Sequence, residues 1–170
     1  MPSCEIKIKF NDSNELITLT DAEVIKKLPV IERAISCSGF DWEERDVKME
    51  EPTGLDFPKH AGDFLLAHLD KYKRVSHEEA SSVNPAERFP EANALSLDQL
   101  RPCLELANYL EAIDFMHCMG FVIAKKLEKC TVEECAAFFG VPHDPNANYF
   151  DESSGYVQVP AANQPSSSNA

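Results

Sequence analysis

From Leu104 to Val141 the chain reads LELANYLEAIDFMHCMGFVIAKKLEKCTVEECAAFFGV. Its apolar residues recur at helical spacing through three consecutive segments, in greater number than one small core requires. No catalytic group stands in a recognisable setting. Such a stretch must bury its surplus apolar face against something, which points to a protein that works by being held. Around it, Ser96 with Gln99 and Thr131 with Glu134 are capping-box pairs that open helices. Gly140 and Pro142 stop the last one. Pro102 interrupts the first, because it lacks an N–H and clashes one turn back, so that helix kinks there or starts there. Phe115, Met116, Met119, Ile123 and Leu127 line the second, in which Gly120 costs about 1 kcal/mol relative to Ala.

Upstream the period changes. Ile6, Ile8 and Phe10 alternate with Glu5, Lys7 and Lys9, the pattern of a half-buried strand. Residues 11–14 are a turn, and Leu16 to Leu19 returns as the second strand of a hairpin. Thr20 with Glu23 predicts a capping box opening a helix over 21–27. Pro29 ends or restarts that helix, and Val30 to Ile35 is a second helical patch closed by Cys37-Ser-Gly39. Residues 41–45 read as a polar loop carrying the single tryptophan, Trp42. Val47 and Met49 suggest a third short strand. Ala61, Leu65, Leu69 and Tyr72 place an amphipathic helix within 57–72. Residues 76–93, with Pro85 and Pro90, form a hydrophilic linker. After Asp144 the composition turns to Asn, Pro, Ser and Gly, and 145–170 read as a disordered tail.

Charge and cysteine usage exclude several function classes. Sixteen basic against 29 acidic residues give a net charge of −13. No cluster of Lys and Arg exceeds two, so the cationic footprint of a nucleic-acid binder is missing. The six cysteines form no C-x-x-C, and no His stands at zinc-finger spacing from any pair. Cys103, Cys118 and Cys135 sit in apolar helical patterns, where a free thiol is a small hydrophobe. That predicts a reducing compartment. The N-terminal alternation of charge and apolarity is unlike a signal peptide, and no run reaches the ~18–20 apolar residues of a membrane span. We therefore expect a soluble intracellular protein of the cytoplasm and nucleus, with no membrane or nucleic-acid partner.

Catalysis needs a nucleophile, a base and an orienting group. His60 and His68 share roughly one helical face, but no acid or thiol is fixed beside both. His117 and Cys118 are adjacent, so on a helix they point apart. Glu43-Glu44 is a loop pair, and Glu133-Glu134 lies in a helix's first turn, where the dipole favours negative charge. No glycine-rich phosphate loop exists. We expect no enzyme, no cofactor and no metal. Asn108 and Tyr109 are different: they interrupt an apolar helical stretch. Tyr109 either packs its ring while Asn108 satisfies backbone, or the pair meets a partner, since Tyr is favoured in hot spots. Phe138 and Phe139, close behind the row Phe115/Met116/Met119, suggest an apolar groove that needs an occupant.

At these residues the chain resembles the S-phase kinase-associated adaptor subunits of SCF ubiquitin ligases. That family carries A-N-Y-L at the end of a leucine-rich helix, then a further helix, then T-P-E-E-I-R-x-x-F-N-I. Here the same elements are Ala107-Asn-Tyr-Leu110 and Thr131-Val-Glu-Glu-Cys-Ala-Ala-Phe-Phe-Gly-Val141, without a gap in their separation. The resemblance covers roughly residues 5–144. It implies an α/β BTB/POZ domain with a short three-stranded sheet, followed by a C-terminal helical extension. The corresponding parts are 1–75 for the N-terminal BTB/POZ portion, 76–93 for a variable linker and 94–144 for the helices. It implies a non-enzymatic bridge between a cullin and an F-box substrate receptor. Asn108 and Tyr109 match the cullin-side positions. Leu100, Leu104, Ile123, Leu127, Phe139 and Val141 fall in helices that cradle the F-box. A rival expectation is a POZ-type interaction module without a ligase role.

The departures are specific. Arg88-Phe-Pro-Glu-Ala92 stands where the family has W-D-x-x-F. Pro102 and Gly120 are foreign to the pattern. Val132 replaces the proline that would help start the last helix. The family's final acidic helix with its closing tryptophan is replaced by Pro142-His-Asp-Pro-Asn-Ala-Asn-Tyr-Phe150, which predicts a shortened grip on the receptor.

Overall fold

Strand β1 (Cys4–Phe10) shows why the N-terminal alternation is decisive: Cys4, Ile6, Ile8 and Phe10 are all buried, while Lys9 is exposed. In the computed structural model, which describes residues 4–37, 42, 46–145, 150–151 and 156–157, β1 is the centre of a small mixed sheet. β2 (Leu16–Leu19) pairs with it antiparallel, Ile8 opposite Ile17, as the expected hairpin. On the other side two short strands run parallel to β1. β3 (Val47–Lys48) lies beside Cys4 and Glu5, and β4 (Thr53–Leu55) lies beside Ile8 to Phe10. The expected three-stranded sheet is therefore four-stranded, its third rail broken into two pieces. Thr53-Gly-Leu55 is too short to show a period, so only its register with β1 defines it as a strand.

The crossover between β2 and β3 holds α1 (Ala22–Lys26) and α2 (Pro29–Cys37). The cap of α1 corrects the Thr20–Glu23 expectation: Asp21 is the N-cap and accepts from the Glu23 amide at 2.9 Å. The helix begins one residue later than that box requires, so Glu23 is at N2 and its amide is within reach of Asp21. Pro29 restarts the chain as α2, where the missing proline N–H costs nothing in the first turn. Ser38, Gly39, Asp41 and the Glu43–Glu44 pair lie outside the described residues. Trp42, expected in a polar loop, is buried.

α3 (Lys59–His68) buries Ala61, Gly62 and Leu65. Its N-cap is Pro58, which has no acceptor side chain. Asp12 of the hairpin turn takes the Lys59 amide instead, at 2.7 Å. The stretch read as a linker is partly core. Asn84 caps α4 (Pro85–Arg88), Pro90 opens α5 (Pro90–Ala94), and Phe89 and Ala92 are buried. Tyr72 ties this segment to α3. Its hydroxyl donates to Glu91 and accepts from the Ala92 amide, each at 3.1 Å. Its ring meets Phe89 edge-on at 5.0 Å and stacks on Phe115 at 5.8 Å.

α6 (Leu97–Tyr109) starts at the Ser96–Gln99 capping box and packs against α3. It runs through Pro102, so the lost bond is one rung, that to the Asp98 carbonyl one turn back. α7 (Ile113–Leu127) buries Phe115, Cys118, Met119, Val122 and Ile123. The chain divides into two compact units, Met1–Lys126 and Leu127–Ala170. Every buried apolar residue among those described falls in the first. The second holds α8 (Val132–Phe139), which buries no residue, and, within the expected tail, a short antiparallel pair, β5 (Phe150–Asp151) with β6 (Tyr156–Val157). The rest of 146–170 lies outside the described residues. No described helix is long and apolar enough to cross a membrane.

Candidate functional site

The end of α6 carries the first candidate surface. Leu106, Ala107 and Leu110 face the core, which turns Asn108 and Tyr109 outward. Tyr109 is 50% exposed, a large fraction for an aromatic ring. It is not free to swing, because the Phe57 ring lies 5.4 Å away, tilted by 50°. The helix closes in a Schellman motif. The Glu111 amide donates to the Asn108 carbonyl at 3.2 Å, and the Ala112 amide donates to the Ala107 carbonyl at 2.9 Å. The left-handed position of that motif is filled by Glu111, at φ 58°, where glycine would be unstrained. Arg33 of α2 holds the Glu111 carboxylate with both guanidinium nitrogens, at 2.8 and 2.6 Å. The guanidinium keeps that carboxyl below its ordinary range. Two residues on, Ile113 opens α7 with its side chain 49% exposed.

The second surface belongs to the second unit. Thr131 Oγ1 accepts from the Glu134 amide at 3.2 Å, and the Glu134 carboxylate accepts from the Thr131 amide at 2.8 Å. That is the capping box read from the sequence. Gly140, at φ 66°, closes the helix, with the Val141 amide donating to the Ala136 carbonyl at 2.9 Å. Between these caps Phe138 and Phe139 meet edge-to-face at 5.2 Å. Val132 and Phe139 stand about two-thirds exposed, at 66% and 65%, and Val141 is also exposed. His143 approaches Glu133 at 3.3 Å.

The six residues expected on the receptor side therefore differ in what they present. Leu100 and Ile123 are buried in the first unit, where they shape a surface without offering one. Leu104 and Leu127 are half-buried. Phe139 and Val141 are exposed. On the scaffold side both expected residues, Asn108 and Tyr109, are exposed together on one turn. Sequence reasoning missed Phe57 behind Tyr109 and Arg33 behind Glu111. Neither had a local signal, since both partners are distant in sequence.

Reactive groups are quiet in the core. Burial pushes the Cys103 thiol up to about 11 and Cys118 up to about 12, so both stay protonated near neutrality. Burial also raises the Tyr72 hydroxyl far above its ordinary value. Among the described residues no group of three or more His, Cys, Asp or Glu side chains could hold a metal ion. No protein-family model matches this chain, and no curated protein matches it.

Proposed function

We propose that this chain is an adaptor subunit of a cullin-based, SCF-type ubiquitin ligase, a divergent BTB/POZ protein that bridges a cullin to an F-box substrate receptor. The observation that carries the reading is Ala107-Asn-Tyr-Leu110 followed at family spacing by Thr131 to Val141, with Asn108 and Tyr109 exposed on one turn. Support comes also from the mixed sheet and helices of the first unit and from the apolar side chains that α8 leaves exposed. The work of such an adaptor is positional. Holding a substrate receptor beside the catalytic subunits converts an encounter into an effectively intramolecular one. Asn108 and Tyr109 face the scaffold. Phe139 and Val141 face the receptor, with Leu104 and Leu127 contributing partly and Leu100 and Ile123 as buried support. No residue of the chain is assigned a catalytic role, and no cofactor is required.

The test is co-purification with a cullin N-terminal domain and with a generic F-box peptide. Tyr109→Ala leaves the fold intact by circular dichroism and weakens cullin capture at least tenfold, the scale of an aromatic hot spot. Equal capture by wild type and variant removes the Asn108–Tyr109 assignment. Capture of neither partner by the wild-type chain leaves the POZ-type interaction module as the better reading.

A further inference from the structure

Between Tyr72 and Phe89 the first unit runs over its own surface, with no residue buried. The first part of this segment, residues 73–76, belongs to no helix or strand. Lys71, Lys73 and Arg74 place three of the chain's 16 basic residues within four positions, although the net charge is −13. All three are exposed, and so is Ser76 just after them. Lys73 lies within electrostatic reach of Asp70. Arg74 makes no hydrogen bond or ion pair among the described residues. Glu78 and Glu79 follow, so the serine has basic residues before it and acidic residues after it.

The structure treats the two sides differently. The Glu79 carboxylate is turned back on the serine, accepting from the Ser76 hydroxyl at 2.9 Å and from the Ser76 amide at 3.3 Å. In return Ser76 Oγ accepts from the Glu79 amide at 3.3 Å. These bonds, with Arg88 adding a smaller pull, hold the Glu79 carboxyl below its ordinary range. Upstream, the Arg74 guanidinium is left to solvent. Protein kinases select a hydroxyl by charge complementarity to the residues that flank it. A basic-directed kinase reads cations two and three positions before the hydroxyl, the places of Arg74 and Lys73. An acid-directed kinase reads a carboxylate three positions after it, and here that carboxylate is Glu79, already occupied.

We propose that Ser76 is a phosphorylation site for a basic-directed protein kinase, which reads Arg74 and Lys73. Ser76 Oγ attacks the γ-phosphorus of ATP, the new O–P bond forms as the bond to the ADP oxygen breaks, and the hydroxyl proton passes to the kinase's catalytic carboxylate. The phosphoserine has no proton to give Glu79 and repels its carboxylate, so that contact is released. The inference does not depend on the ligase reading.

The test incubates the full chain with radiolabelled ATP and a basic-directed kinase, the catalytic subunit of a cyclic-AMP-dependent kinase, beside an acid-directed casein-type kinase. The expected label from the basic-directed kinase falls in the tryptic peptide 75–88, at Ser76, and is absent from Ser76→Ala. Arg74→Ala lowers kcat/KM for that kinase about tenfold, the scale of one lost charge-assisted hydrogen bond. Glu78→Gln leaves it unchanged. Circular dichroism verifies the fold of each variant, which changes an exposed side chain. No label on the wild-type chain from the basic-directed kinase, label retained in Ser76→Ala, or a full rate in Arg74→Ala overturns the proposal. Faster labelling of Ser76 by the acid-directed kinase also overturns it, because the carboxylates would then be the side that is read.

Discussion

Two single residues carry constraints that their neighbours do not. A Cβ on Gly62 would stand 2.0 Å from Phe10 Cζ and 2.6 Å from both ring Cε atoms. The Phe10 ring is buried in the sheet's inner face and has nowhere easy to move. Gly62→Ala is expected to destabilise the protein by about 1–3 kcal/mol, the cost of overpacking a filled core. Denaturant unfolding measures it. Adding Phe10→Leu should recover part of the loss, since the two changes share one volume. Unaltered stability in Gly62→Ala would show that the ring can yield. Glu111 is constrained by backbone and by charge. Its folded carboxyl lies below the ordinary value of 4.5, chiefly because Arg33 donates to it. A depressed carboxylate contributes stability that is fully present above its unfolded value and is lost as pH falls through the folded value. The difference in thermal midpoint between wild type and Glu111→Gln should therefore be open at neutral pH. It should close as the pH falls below the ordinary carboxylate range and through the lowered folded value, at low salt. A difference that persists unchanged in acid would assign the effect to something other than the ion pair.

At the scale of elements, what was legible depended on whether the signal was local. The boxes at Ser96–Gln99 and Thr131–Glu134, and the glycine stop at Gly140, are patterns within four residues, and each governs its helix as read. The β1–β2 hairpin was likewise legible, because alternation and turn chemistry lie side by side. Support that comes from remote residues had no local signal. α3 takes its N-terminal acceptor from Asp12, 47 positions away. The 76–93 stretch looks hydrophilic because its buried residues, Phe89 and Ala92, are few. Pro85 and Pro90, read as linker marks, begin short helices, as proline does at N1. α7 offers a clean test of propensity. No atom lies within 4 Å of a Cβ built on Gly120, so nothing in the described fold requires a glycine there. Gly120→Ala should stabilise the protein by about 1 kcal/mol in chemical denaturation. A loss of stability would mean that the position is crowded.

At the scale of the whole molecule, the core is complete within the first unit: the last buried apolar residue among those described is Ile123. A chain ended at Lys129 should therefore unfold cooperatively, with a thermal midpoint within about 5 °C of the full chain. A non-cooperative or strongly lowered transition would show that α8 and the segment after it are part of the fold's support. The sequence by itself determined the period-two β1, the hairpin, the capped helices and the pairing of Asn108 with Tyr109, because each depends on residues a turn or a few positions apart. Only the tertiary structure decided the fourth strand, the burial of Trp42 and Phe89, and the cap that Asp12 lends to α3. It likewise decided the Phe57 and Arg33 partners that hold Tyr109 and Glu111. Those rest on residues tens of positions apart, and no local pattern specifies which distant side chain will satisfy an open amide, a carboxylate or the face of a ring.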